Sequence, residues 1–279
     1  MLPKQTDILT DVRRALAEDV GTGDVTAALL PEKLRISARI ISREPMLMCG
    51  RPWVECVFAE INPEVEIHWL VKEGAWLDEP TTLCHLHGPA RDVLTGERSA
   101  LNFMQTLAAT ATQTRQCLLQ LEGYSTRLLD TRKTLPGLRR AQKYAVACAG
   151  GVNHRFGLYD AFLIKENHIK ACGSIKAAIA LARKTGKGLL VEIEVETIAE
   201  FQEALAAGPD RILLDNFTPE MLMEAVAINK PKRCELEASG GIELSTLARI
   251  AETGVDYISI GAITKSIRAI DLSLLINES

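Results

Sequence analysis

The chain has 279 residues, 47% of them hydrophobic and 24% charged, and carries a formal charge of −4. That length allows one large or two medium domains with a buried core, and the acidic balance argues against a nucleic-acid binder. No apolar run reaches the roughly 18 residues of a membrane span, acids interrupt the first twenty residues unlike a secretory leader, and seven scattered cysteines without a CxxC pair imply reduced thiols in the cytoplasm.

In chain order, an amphipathic helix is expected from Asp7 to about Asp19. The turn Gly21-Thr22-Gly23-Asp24 leads on to an alternating strand over Leu34–Ile40. Further strands are expected at Val65–Val71 and Thr82–Leu86. His85 and His87 alternate on the second of these and read as structural, because no further zinc ligands stand near them. Trp53, Trp69 and Trp76 all fall in this first region and read as core or interface residues. A long helix is expected from Gly96, with Arg98 in its first turn and Leu101, Met104, Leu107, Ala108 and Ala111 on one face.

After about residue 123 a regular alternation begins. Short apolar runs suited to buried parallel strands are Arg127–Asp130, Ala161–Ile164, Leu189–Glu194, Arg211–Leu214, Cys234–Ala238 and Tyr257–Ile260. Helical segments separate them at Leu138–Ala149, Ser174–Lys184, Ile198–Ala207, Pro219–Asn229 and Leu244–Glu252. This repetition predicts an α/β barrel or a doubly wound sheet. The absence of GxGxxG after a first strand speaks against a dinucleotide fold.

The strands run out into Thr131-Arg132-Lys133, Lys165, Glu194, Asp215, Ser239-Gly240-Gly241 and Gly261. In a β/α barrel such ends share one face, where the chemistry is built. Arg132, Lys133, Arg155 and Lys165, with His154 beside them, form a cationic set for a ligand with several negative charges. No acidic residue lies between Asp130 and Asp160, while Arg132, Lys133, Arg139, Arg140, Lys143, His154 and Arg155 all do. Glu194 and Asp215 suit Mg²⁺ or sugar hydroxyls, or else each is neutralised by a nearby lysine or arginine. Ser239-Gly240-Gly241 and Gly261 allow backbone N–H groups to approach a phosphate. A Schiff-base barrel aldolase using Lys165 and a non-enzymatic anion-binding module remain as alternatives. The first leaves Glu194, Asp215 and Arg98 unexplained.

The segments Gly96-Glu97-Arg98-Ser99-Ala100-Leu101-Asn102-Phe103, Asp130-Thr131-Arg132-Lys133-Thr134-Leu135-Pro136-Gly137, Asn153-His154-Arg155-Phe156-Gly157-Leu158, Leu163-Ile164-Lys165-Glu166-Asn167-His168, Val191-Glu192-Ile193-Glu194-Val195-Glu196, Leu213-Leu214-Asp215-Asn216, Leu236-Glu237-Ala238-Ser239-Gly240-Gly241 and Gly254-Val255-Asp256-Tyr257-Ile258-Ser259-Ile260-Gly261 resemble the quinolinate phosphoribosyltransferase family in order along the chain. The DTRKT and LIKENH segments carry most of the specificity. The resemblance implies an α/β fold with two parts. An N-terminal α/β sandwich domain (1–110) precedes an incomplete, open α/β barrel (111–267), and a C-terminal segment (268–279) returns to the first domain.

The resemblance also implies transfer of the phosphoribosyl group of phosphoribosyl pyrophosphate to quinolinate with decarboxylation. Mg²⁺ is the implied cofactor, and a cytoplasmic homodimer with shared sites the implied assembly. On this basis Arg98, Arg132, His154, Arg155 and Lys165 bind the pyridine carboxylates and Lys133 the pyrophosphate. Glu194 and Asp215 stand near ribose and metal, and Ser239, Gly240 and Gly261 cradle the 5′-phosphate. Lys265 stands where many relatives carry histidine, so cationic character survives there but an imidazole's titration does not. A related phosphoribosyltransferase on another anionic acceptor is the nearest rival reading.

Overall fold

A computed structural model describes residues 3–186 and 188–277. The chain forms two compact units. The first is drawn from Met1–Arg115, Thr134–Gly150 and Ile263–Ser279, the second from Gln116–Lys133 and Gly151–Ala262.

In the first unit the helices are α1 (Gln5–Asp19), α2 (Arg51–Ile61), α3 (Ala90–Leu119, within this unit as far as Arg115) and α4 (Arg139–Cys148). Strands β1 (Arg35–Ser42), β2 (Met46–Leu47), β3 (Glu66–Trp69), β4 (Trp76–Leu77) and β5 (Thr82–Pro89) precede α3. Hydrogen bonding orders an antiparallel sheet as Leu272–Ile276, β1, β5, β3, so a strand from near the chain's end pairs with β1. Alternation decides which face is core: Ala38, Ile40, Cys84 and Leu86 are buried, whereas His85 and His87 point to solvent, His87 against Ser37. Trp53, Phe58 and Met104 are among the largest side chains in the core.

α3 begins at Ala90, not at Gly96, so Arg98 lies two turns further along than the sequence reading places it. Gly96 is an interior glycine kept for close packing. A Cβ there would stand 2.6 and 2.9 Å from ring carbons of Phe58 and 3.0 Å from Ile61 Cδ1. Phe58 is itself buried and has no room to swing away. Gly96→Ala should therefore lower stability by about 1–3 kcal/mol through overpacking, despite the better helix propensity of alanine. A thermal melt checks this, and an unchanged or raised Tm would refute the packing role.

The second unit carries a six-stranded parallel sheet. Its strands are β6 (Arg127–Leu129), β7 (Ala161–Ile164), β8 (Leu190–Val195), β9 (Arg211–Asp215), β10 (Glu235–Ser239) and β11 (Tyr257–Ser259), in the order β6-β11-β10-β9-β8-β7. β6 and β7 are its two edges and do not pair, so the barrel is open. The strand in the first unit, Leu272–Ile276, is then β12.

Helices α5 (Glu166–Cys172), α6 (Ile175–Thr185), α7 (Ile198–Ala207), α8 (Pro219–Ile228) and α9 (Leu247–Ala251) punctuate the strands. Local chemistry starts them: Ser174, Thr197 and Thr218 each accept a backbone N–H three residues on, and Pro219 opens α8. The expected helix over Leu244–Glu252 is a 3₁₀ turn at Leu244–Thr246 followed by the single α turn of α9. All seven cysteines are free thiols, five of them buried. Among the described residues no helix is long and apolar enough to cross a membrane.

Candidate active site

The register of the parallel sheet explains how the site is assembled. Leu163 pairs with Glu192, Glu194 with Leu213, Ser239 with Asp215, and Glu237 with both Leu213 and Tyr257. Side chains two apart share a face. One face therefore carries Glu192, Glu194, Arg211, Asp215, Glu235, Glu237, Ser239, Tyr257 and Ser259. The other carries the buried Val191, Ile193, Val195, Ile212, Leu214, Leu236, Ala238 and Ile258. The strands read as plain apolar runs thus alternate, with a polar interior on one side. That is a correction to the sequence reading, and its signal was present in Val191-Glu192-Ile193-Glu194-Val195, where acids recur at every second position.

At the C-terminal end of that face Lys165 forms an ion pair with Glu194. The Glu194 carboxylate is thus neutralised by a lysine, as one of the two sequence readings expects. Asp215 ends β9 and accepts the Asn216 amide at 2.9 Å. Asn216 has a left-handed backbone (φ 55°), and its N–H donates to the Ser239 carbonyl at 2.9 Å. Gly240 (φ 94°) completes this turn: a Cβ there would lie 2.2 Å from Asn216 Oδ1 and 2.8 Å from Asn216 N, so no other residue fits. At Gly261 a Cβ would lie 2.9 Å from Cδ of Lys133, whose exposed, flexible side chain runs over it. The Lys133 N–H donates to Thr131 Oγ1 at 3.0 Å.

The basic stretch from 131 to 159 is divided by the fold. Arg139, Arg140 and Lys143 belong to the first unit, where Arg140 pairs with Asp7 at 2.7 Å and Lys143 is fully buried. Arg132, Lys133, His154 and Arg155 belong to the second. Arg132, Arg155 and Lys165 line a cleft of about 520 Å³ with Leu158, Phe162 and His168. Glu194, Asp215, Ser239 and Gly261 do not line it, so this cleft marks only the cationic side of the site. Burial and the nearby Arg132 both lower the pKa of Arg155, which raises the benefit of an anion placed between the two guanidiniums.

Arg98 and Lys265 lie in the first unit. Arg98 is exposed on α3, and Lys265 is exposed in the last turn of the short helix α10 (Ala262–Lys265). Asp92 accepts the Asn62 amide at 2.6 Å, and Arg98 has no ion-pair partner among the described residues.

Several residues of this face escaped the sequence reading. Asp130, fully buried at the end of β6, accepts the Asn153 amide at 2.6 Å and the His154 N–H at 2.8 Å, and so fixes the loop that carries Arg155. Glu192, Arg211 and Glu237 lie beneath His154, whose Nε2 is 2.9 Å from Glu192 Oε2 and 3.5 Å from Glu237 Oε2.

Residues 24–108 match the family model of the quinolinate phosphoribosyl transferase N-terminal domain, and residues 110–275 that of its C-terminal domain. The chain is 41% identical over 266 residues to a probable nicotinate-nucleotide pyrophosphorylase [carboxylating] of Bacillus subtilis, covering 94% of this chain and 92% of the relative. It is 36% identical over 292 residues to quinolinate phosphoribosyltransferase [decarboxylating] 1b of Nicotiana tabacum, covering 97% and 83%. Among solved structures, the nicotinate-nucleotide pyrophosphorylase of Francisella tularensis superposes with a TM-score of 0.95 at 44% identity, covering 99% of this chain and 98% of that one. The chain belongs to the quinolinate phosphoribosyl transferase family.

Proposed function

We propose that the chain transfers the phosphoribosyl group of phosphoribosyl pyrophosphate to quinolinate, giving nicotinate mononucleotide, pyrophosphate and carbon dioxide in the de novo route to NAD. The observation that carries this reading is the single polar face on which the Lys165–Glu194 pair, Asp215 and the Gly240 and Gly261 turns adjoin the Arg132 and Arg155 pair. The names of the relatives point to the same reaction.

The chemistry follows from charge. Arg132, Arg155 and Lys165 hold the two carboxylates and orient the ring nitrogen towards the sugar carbon. As pyrophosphate departs, Lys133 meets its growing negative charge, and Glu194 and Asp215 face the cationic character of the sugar. The nitrogen lone pair forms the new bond to the sugar carbon. The ring then carries positive charge and accepts the electron pair released when the adjacent carboxylate leaves as carbon dioxide. A proton takes that carboxylate's place. No protein nucleophile is needed.

Glu194 and Asp215 offer hard oxygen donors from neighbouring strands, which suits Mg²⁺. They form no ready cluster with a third acid among the described residues, so substrate oxygens would complete the coordination. Bound there, Mg²⁺ would neutralise pyrophosphate charge. The 5′-phosphate falls to Ser239, Gly240 and Gly261. Lys265 keeps a cation near the chain's end, and Arg98 is assigned to the site of a neighbouring subunit in a homodimer.

Incubation with quinolinate, phosphoribosyl pyrophosphate and Mg²⁺ should yield nicotinate mononucleotide. Activity should vanish in excess chelator and return with Mg²⁺, and full turnover in chelator would remove the metal role. Nicotinate, which lacks the second carboxylate, should be a very poor acceptor. Equal turnover of both acids would mean that the cationic cluster does not read that group.

A further inference from the structure

We propose that Glu237 stands as a neutral carboxylic acid that donates its proton to Glu192, and that this pair is a positioning device which locks His154 and, through it, the main chain at Arg155. This rests on the reading of Arg155 as an acceptor-binding residue.

The first observation is an imbalance in the dry interior of the sheet. Glu192 and Glu237 are both fully buried. The cation against them is Arg211, and it is divided. Its Nε and Nη2 go to Glu235 Oε2 at 3.2 and 2.9 Å, Nη1 goes to Glu237 Oε2 at 3.3 Å, and its plane lies 4.0 Å above the Tyr257 ring. Tyr257 in turn donates to Glu235 at 3.0 Å. Glu192 Oε1 and Glu237 Oε1 lack a hydrogen-bond partner, and Glu192 Oε2 lies 2.9 Å from His154 Nε2. Orphaned buried carboxylate oxygens are costly, and two carboxylates have no donor to offer one another.

One proton resolves this imbalance. It turns Glu237 into a donor, gives Glu192 a partner and reduces the buried charge by one. Burial and the adjacent Glu192 charge push the Glu237 carboxyl up to about 8, and burial raises Glu192 as well. The other ionisable groups around the pair are Arg211, Arg155, Glu194 and His154.

The second observation concerns His154. Its Nδ1 accepts the Arg155 N–H at 2.7 Å, so that nitrogen carries no proton. The neutral ring must then hold its proton on Nε2, the atom that faces Glu192 and Glu237. Both ring nitrogens face protein groups in this arrangement, Nδ1 the Arg155 N–H and Nε2 the acid pair. His154 acts as a strut between the acid pair below and the Arg155 main chain above. Asp130 holds the same loop from the other side through Asn153 and the His154 N–H.

The conservative variant separates this from a bulk structural role. Glu237→Gln keeps the shape, a donor for Glu192 and an acceptor for Arg211, and should hold the KM for quinolinate within about threefold of wild type. Glu237→Ala releases the strut. The KM for quinolinate should then rise on the order of 10–100-fold, with the KM for phosphoribosyl pyrophosphate nearly unchanged. Nitrogen-15 spectra of labelled histidine, with His154 assigned by His154→Gln, should show the Nε2–H tautomer near neutral pH in the wild type and in Glu237→Gln.

The spectra do not depend on activity, so they test the proposal even if quinolinate proves not to be the acceptor, and even if Glu237→Ala fails to fold. An Nδ1–H tautomer or an imidazolium would overturn it. So would a Glu237→Gln protein as impaired as Glu237→Ala. A divalent ion seen by native mass spectrometry in the wild type and lost in Glu237→Gln would also overturn it, making His154, Glu192 and Glu237 a metal site instead.

Discussion

Lys133→Ala is expected to lower kcat by about 100-fold or more while changing the KM for quinolinate little, whereas Arg155→Ala mainly raises that KM. The difference lies in when each charge is needed. The acceptor's carboxylates carry full charge before the reaction starts, so Arg155 contributes to ground state and transition state alike. Charge on the departing pyrophosphate grows only as the bond to the sugar breaks, so a cation placed there acts on the transition state. Lys133 is suited to that role: its backbone is tied to Thr131, and its side chain runs across Gly261 in the turn after β11. Gly261→Ala places a Cβ against that side chain and should reproduce part of the kcat loss. Steady-state kinetics with each substrate varied in turn decide the matter, and the reverse pattern would mean the two residues have been assigned wrongly.

The legible parts of this fold were those where local pattern and tertiary demand agree. Buried parallel strands need apolar residues on the helix-covered face, and Ile212, Leu214, Leu236 and Ile258 supply them, so strand positions were found to within a residue or two. Two strand ends were legible for a second reason: Lys165 and Asp215 each break an apolar run at the point where the chain leaves the sheet.

α2 was not legible. Arg51-Pro52-Trp53-Val54-Glu55-Cys56-Val57-Phe58 is rich in aromatic and β-branched residues that suit a strand equally well. Its helix starts because Glu73 accepts the N–H groups of Gly50 and Arg51, 23 and 22 residues before it, at 2.8 and 3.2 Å. A cap supplied from so far along the chain leaves no local trace. The start of α3 was misplaced for a related reason, because Gly96 serves packing against Phe58 and does not mark a boundary. Within the site, Glu192, Glu237 and Asp130 were missed because their partners come from other strands. Their alternation was visible, but its meaning depends on the register that sets Glu237 beside Leu213 and Tyr257.

The largest effect expected at the level of assembly comes from mixing two inactive proteins, Arg98→Ala and Lys165→Ala. Arg98 is exposed on α3 in the first unit, and Lys165 ends β7 in the second. On its own surface the charge of Arg98 acts on the neighbouring Glu97, the alternative that the mixing experiment tests. If a neighbouring subunit's Arg98 completes each site, a symmetric dimer holds two equivalent composite sites. Each pure variant then has a defect in both of its sites. In a mixed dimer, one site joins an intact Lys165 from the first variant to an intact Arg98 from the second, and the other site carries both defects. Equal mixing with random exchange makes about half of the dimers mixed, so about a quarter of wild-type activity should return. If Arg98 acts within its own chain, every site keeps a defect and mixing restores nothing. With exchange verified by a tag on one variant, absence of recovery would remove the shared site while leaving family membership and the proposed reaction standing.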